Sequence, residues 1–66
     1  MYEYTLTFLN KYVEIYTYLS QKKLYGEIIE VTPLEIILQR KHIDKAANKN
    51  TNLHIPLNAI ISIKKL

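Results

Sequence analysis

Sixty-six residues make one small domain, and a chain of this length buries only about 60% of the surface it exposes when unfolded. There is no cysteine, which excludes disulfides and cysteine-based zinc or redox sites. Apolar residues make up 48% of the chain, more than one such core can hide, so the surplus predicts association between copies.

The chain opens Met1-Tyr2-Glu3 without a basic leader, and no apolar run approaches the roughly 18 residues of a membrane span. A cytoplasmic protein without membrane contact is expected. The net charge of +3 is unevenly spread. Residues 1–35 carry three lysines against five glutamates, a balance of −2. Residues 36–66 carry Arg40, Lys41, Lys45, Lys49, Lys64 and Lys65 against Asp44, a balance of +5. An anionic partner belongs with the second half.

Tyr2, Tyr4, Leu6 and Phe8 alternate with Glu3, Thr5 and Thr7. Period two in residues of high strand preference predicts a strand over 2–9. A helix ending at Asn10 is the competing reading. A second alternating run spans 12–19, with Val13, Ile15, Thr17 and Leu19 on one face and Tyr12, Glu14, Tyr16 and Tyr18 on the other. All six tyrosines fall within the first 25 residues. Tyr12, Tyr16 and Tyr18 therefore form a candidate interaction face for a protein partner or another copy. They could also stack unpaired bases, but the acidic balance of this half favours the first reading.

After a polar turn at Ser20-Gln21-Lys22-Lys23, a strand is predicted over 24–32. Strict alternation fails between Ile28 and Val31. A β-bulge near Ile29-Glu30 brings both to the interior, and Gly26 marks a strong bend or a close backbone approach. Thr32-Pro33 turns the chain into a strand over 34–42. The stretch from Gln39 to Asn52 is basic and rich in asparagine, long for a hairpin loop. Two short strands, 53–56 and 59–65, close the sheet around a turn at Pro56-Asn58. The predicted fold is all-β: a small, strongly bent five- to six-stranded barrel, Sm-like or SH3-like, in a single domain over 1–66.

No nucleophile, base or metal set stands out. His42 and His54 lack recognisable ligand spacing, Ser20 and Ser62 have no activating histidine nearby, and one glycine cannot cradle a phosphate. No enzymatic activity and no cofactor are expected. Anion-binding candidates are Arg40, Lys41, His42, Lys45 and Lys49, extended by Lys64 and Lys65. Such side chains contact phosphates, and asparagines reach base edges or sugars. A solvated basic loop is the plain alternative, and the terminal lysines equally protect a strand edge from aggregation.

The succession of elements over residues 12–65 resembles the Sm-like small barrel. Gly26, Ile28, Val31, Leu34, Ile36 and Leu38 stand at the places of that family's first motif, with spacing similar to the bacterial Hfq branch. Ile55 to Ile63 looks like a version of the second motif. The resemblance implies a homo-oligomer that binds single-stranded RNA. It also implies which residues depart from the pattern. Thr32 stands where the family has its turn aspartate, and Glu35 falls near the base-contacting asparagine. Pro56-Leu57-Asn58 replaces the Tyr-Lys-His of Hfq, leaving Asn58 alone comparable to a contact residue. The expected function is thus a small non-enzymatic binding module for single-stranded nucleic acid. The alternative is a structural or protein-interaction module that uses its tyrosine face and strand edges.

Overall fold

The structure, a computed structural model, describes residues 1–41 and 50–66. A short helix α1 (Tyr2–Leu6) precedes β1 (Tyr12–Thr17), β2 (Leu24–Val31), β3 (Glu35–Lys41) and β4 (Asn50–Pro56). A 3-10 turn at Leu57–Ala59 leads into β5 (Ile60–Lys65). Among the described residues the strands form one antiparallel sheet in the order β4-β3-β2-β1-β5. It does not close, because β4 and β5 each pair on one side only. The all-β prediction holds with five strands, and the closed barrel is corrected to an open sheet.

The strand expected over 2–9 is also corrected. Residues 2–6 are helical, and turns follow through Asn10. The alternation of this run also places Tyr4 with Phe8, and Thr5 with Leu9, one helical turn apart, and packing chooses that spacing. The rings of Tyr4 and Phe8 meet edge to face with centroids 5.2 Å apart. Thr5 is fully buried, its hydroxyl donating to the Tyr2 carbonyl at 2.8 Å. Phe8 and Leu9 lie against the core. A five-residue helix has too few internal bonds to persist alone, so these contacts hold it. Asn10 ends the segment with φ of 64°, the left-handed conformation that asparagine tolerates better than most residues.

The bulge expected in β2 is present. Glu27 pairs with Gln39 and Ile28 with Leu38, but Glu30 pairs with Ile37, so Ile29 is the extra residue. Ile28, Ile36 and Leu38 consequently share the interior with Val13 and Ile15, all of them fully buried. Burying a side chain of this size stabilises the fold by roughly 1.5–3 kcal/mol. A second register shift, which the sequence did not announce, lies between β1 and β5. Tyr16 pairs with Ser62 and Thr17 with Ile60, leaving Ile61 exposed.

Gly26 sits where two backbones come close. A Cβ there would lie 2.5 Å from the Gln39 carbonyl oxygen and 3.1 Å from Leu38 Cγ. The first contact is with backbone and cannot rotate away. At the next turn, the Thr32 hydroxyl accepts from the Leu34 and Glu35 amides at 3.2 and 3.0 Å. The turn is thereby locked without the carboxylate expected there.

Gly26→Ala should lower stability by about 1–3 kcal/mol, read as a lower urea midpoint at unchanged slope. At Asn10, alanine should cost about 1 kcal/mol while glycine costs at most a few tenths, because only alanine adds a penalty for positive φ. Equal losses for the two Asn10 variants would contradict the left-handed assignment.

Candidate functional site

Strand register decides which candidate side chains meet. Gly26 pairs with Val13, and Val13 with Lys65. Arg40 lies one residue past the Glu27–Gln39 pair, level with Gly26, and pairs with Thr51. Arg40 and Lys65 therefore lie in one cross-strand row and on the same face, with Gly26 and Val13 between them. Lys41 is the last residue of β3 and pairs with Asn50. The chain between them carries His42, Lys45 and Lys49, which lie outside the described residues. Chain connectivity alone roots that basic segment beside Arg40. Positive charge falls on this row because β3 finishes and β4 begins just past it, while β5, which runs opposite to β3, finishes on it from the other side.

The remaining candidates separate from this group. Lys64 pairs with Glu14 and projects to the opposite face of the sheet from Lys65. Asn58 lies in the 3-10 turn that joins β4 to β5, at the far end of the strands. The predicted set thus resolves into Arg40 with Lys65, beside the root of the 42–49 segment. Arg40 is half-buried, while Lys65 is exposed.

The tyrosines divide as well. Tyr12 and Tyr16 share the outer face of β1 with Glu14, opposite Glu27 and Tyr25 on β2. Glu14 is mostly buried and binds the Lys23 ammonium at 2.8 Å. The hydrogen bond that the Lys23 ammonium donates to Glu14, reinforced by the carboxylate's charge, raises the Lys23 pKa above its ordinary 10.5. Tyr18 lies beyond the end of β1, its amide donating to the Ala59 carbonyl at 2.9 Å. With Tyr16, Thr17, Leu19, Ser20, Gln21 and Ile61 it lines an open groove of ≈ 450 Å³.

Two positions where the resembled family contacts RNA are engaged internally here. Thr32 holds its own turn. The carboxylate of Glu35 on β3 is bound by Nδ1 of His54 on β4. Nineteen residues separate that pair, so no spacing in the sequence pointed to it. Among the described residues no helix is long and apolar enough to cross a membrane. No family model matches the chain, and no curated protein or solved structure matches it.

A lysine held charged by a partner contributes stability that is fully present below its unfolded pKa and lost as pH rises through the higher folded value. Lys23→Gln should therefore lower the melting temperature at pH 8, and the deficit should shrink as pH climbs above 10.5. A deficit that stays constant to the alkaline limit would show that Lys23 acts by packing instead.

Proposed function

We propose that the protein is a non-enzymatic, self-associating β-module that binds single-stranded nucleic acid at the basic end of its sheet. The observation that carries the binding half is the cross-strand row that sets Arg40 level with Lys65, beside the root of the basic 42–49 segment. Cations aligned across a sheet in this way each neutralise a phosphate and release counterions. The asparagines around them supply donors and acceptors to bases and sugars. An Sm-like reading is supported by the order of helix, four strands, 3-10 turn and final strand, and by the bulge after Ile28. The altered residues at Thr32, Glu35 and Pro56-Leu57 argue that any RNA contact has moved from the family's usual positions to the basic end. A cytoplasmic location fits this function.

Self-association is supported by the edges. Among the described residues β4 and β5 each present one unpaired side, and an unpaired strand edge is a template for another chain. Tyr2, Tyr4, Tyr12, Tyr18, Tyr25, Leu19 and Leu34 are exposed on so small a body. A second reading, binding of another protein, is favoured by the outer face of β1 and β2. Tyr12, Tyr16 and Tyr25 surround the Glu14–Lys23 pair there, and with Glu27 and Lys64 beside it the charges of this face balance, offering a polyanion no net attraction.

Binding of a fluorescent single-stranded oligonucleotide should weaken steeply as salt rises. Arg40→Ala with Lys65→Ala should reduce the slope of log K against log salt by about 1.4 in magnitude, two phosphate contacts at roughly 0.7 each. Tyr12→Ala should leave that slope unchanged. Binding that ignores both salt and the double variant would overturn the nucleic-acid reading and favour the protein-partner one.

A further inference from the structure

Strand pairing creates a pattern on the outer face of β1 and β2 that neither strand carries alone. Tyr12 pairs with Glu27, and Glu14 with Tyr25. These four side chains share one face, so two tyrosines occupy one diagonal of a square and two carboxylates the other. Directly paired neighbours of this kind have Cβ atoms about 4.5–5.5 Å apart. Tyr16 extends the aromatic wall two residues beyond Glu14.

The two carboxylates differ in their partners. Glu14 has only 15% of its side chain exposed and is bound by the Lys23 ammonium, whereas the Lys23 side chain is 56% exposed. Lys23 comes from the turn that precedes β2, not from the sheet. Lys64, directly opposite Glu14 on β5, makes no ion pair with it, and among the described residues Glu27 has none at all. An exposed lysine gains little by pairing, because water competes and its long chain must be ordered. The anionic seat is thus built on paired strands, while its occupant is a turn residue held by one contact.

A guanidinium fits this square better than an ammonium does. It is planar, stacks on tyrosine faces and presents five N–H donors in a fixed fork. Between Tyr12 and Tyr25, which are 49% and 51% exposed, one guanidinium can donate to Glu14 and Glu27 together. The compact charge of Lys23 meets Glu14 alone. The chain cannot fill the seat from within, because its single arginine, Arg40, is half-buried on the opposite face of the sheet. Exchanging Lys23 for one arginine leaves the charge of the face unchanged. A longer run of cations would be repelled by Lys22, the released Lys23 and Lys64.

We propose that the square of Tyr12, Glu14, Tyr25 and Glu27 seats one arginine side chain of a protein partner, and that Lys23 is a tethered competitor displaced when the arginine enters. The inference rests on the protein-partner reading of this face and names the chemistry by which that partner is recognised.

The probe is acetyl-arginine-amide, titrated into the full chain and followed by NMR through the ring signals of Tyr12, Tyr16 and Tyr25. It should bind in preference to acetyl-lysine-amide and weaken on both Glu14→Gln and Glu27→Gln, with circular dichroism unchanged. Lys23→Gln should tighten binding about fivefold, because a seated Lys23 leaves the site competent only part of the time. A purely structural ion pair gives no such gain. Equal affinity for the two amides, or no gain with Lys23→Gln, would overturn the arginine seat. Random short peptides displayed on phage and selected on the wild-type chain separate this outcome from the broader reading. Arginine-bearing binders that are lost on Glu14→Gln support the seat. Binders that need Tyr12 and Tyr25 but share no arginine overturn it and leave the protein-partner reading standing. If no selected peptide is lost on Tyr12→Ala with Tyr25→Ala, that reading falls, and the seat with it.

Discussion

Ile28 is the residue through which the parts of this fold are joined. Its carbonyl accepts from the Asn10 amide at 2.7 Å and its amide donates to the Lys11 carbonyl at 3.1 Å. On its other side it pairs with Leu38, and its side chain is completely buried. The extra residue, Ile29, follows immediately. The leader segment, the bend and the core are thus fixed at one point on the chain. Without the bulge, Val31 would exchange faces with Glu30, because side chains in a strand alternate strictly. The interior would then receive a carboxylate, whose burial without a partner is costly.

The bend also determines what the surface can offer. It folds β3 and β4 over the interior they share with β1 and β5, and among the described residues the outer edges of β4 and β5 stay unpaired. Arg40 and Lys41 lie by the start of β4 and Lys65 at the end of β5, whereas Leu34 lies by the end of β4 and the Tyr18–Leu19–Ile61 groove by the start of β5.

Alternation in 12–17, the failed alternation after Gly26 and the Thr32-Pro33 turn were legible because each is local. Burial of one sheet face demands apolar residues at every second position, and the demand is visible residue by residue. The leader was not legible. Seven residues alternating Tyr, Thr and Phe satisfy a strand period, yet Tyr4–Phe8 and Thr5–Leu9 also satisfy a helical one. Propensity is too weak a force to decide between them over one turn. The second bulge was hidden for a related reason: Ile60 and Ile61 are chemically equal, and only pairing with Thr17 selects which is buried.

For the candidate site the division is sharper. The amino-acid sequence by itself determined that charge is segregated, that disulfides and cysteine-based sites are excluded, and that the bend lies between Ile28 and Val31. These follow from composition and from nearest-neighbour periodicity, which need no long-range contact. Only the tertiary structure decided that Arg40 is level with Lys65, that Lys64 and Asn58 are not part of that group, and that Glu35 is held by His54. Each of these is a matter of strand register between segments far apart in sequence. A one-residue slip would reverse every face assignment, and no local preference fixes that register.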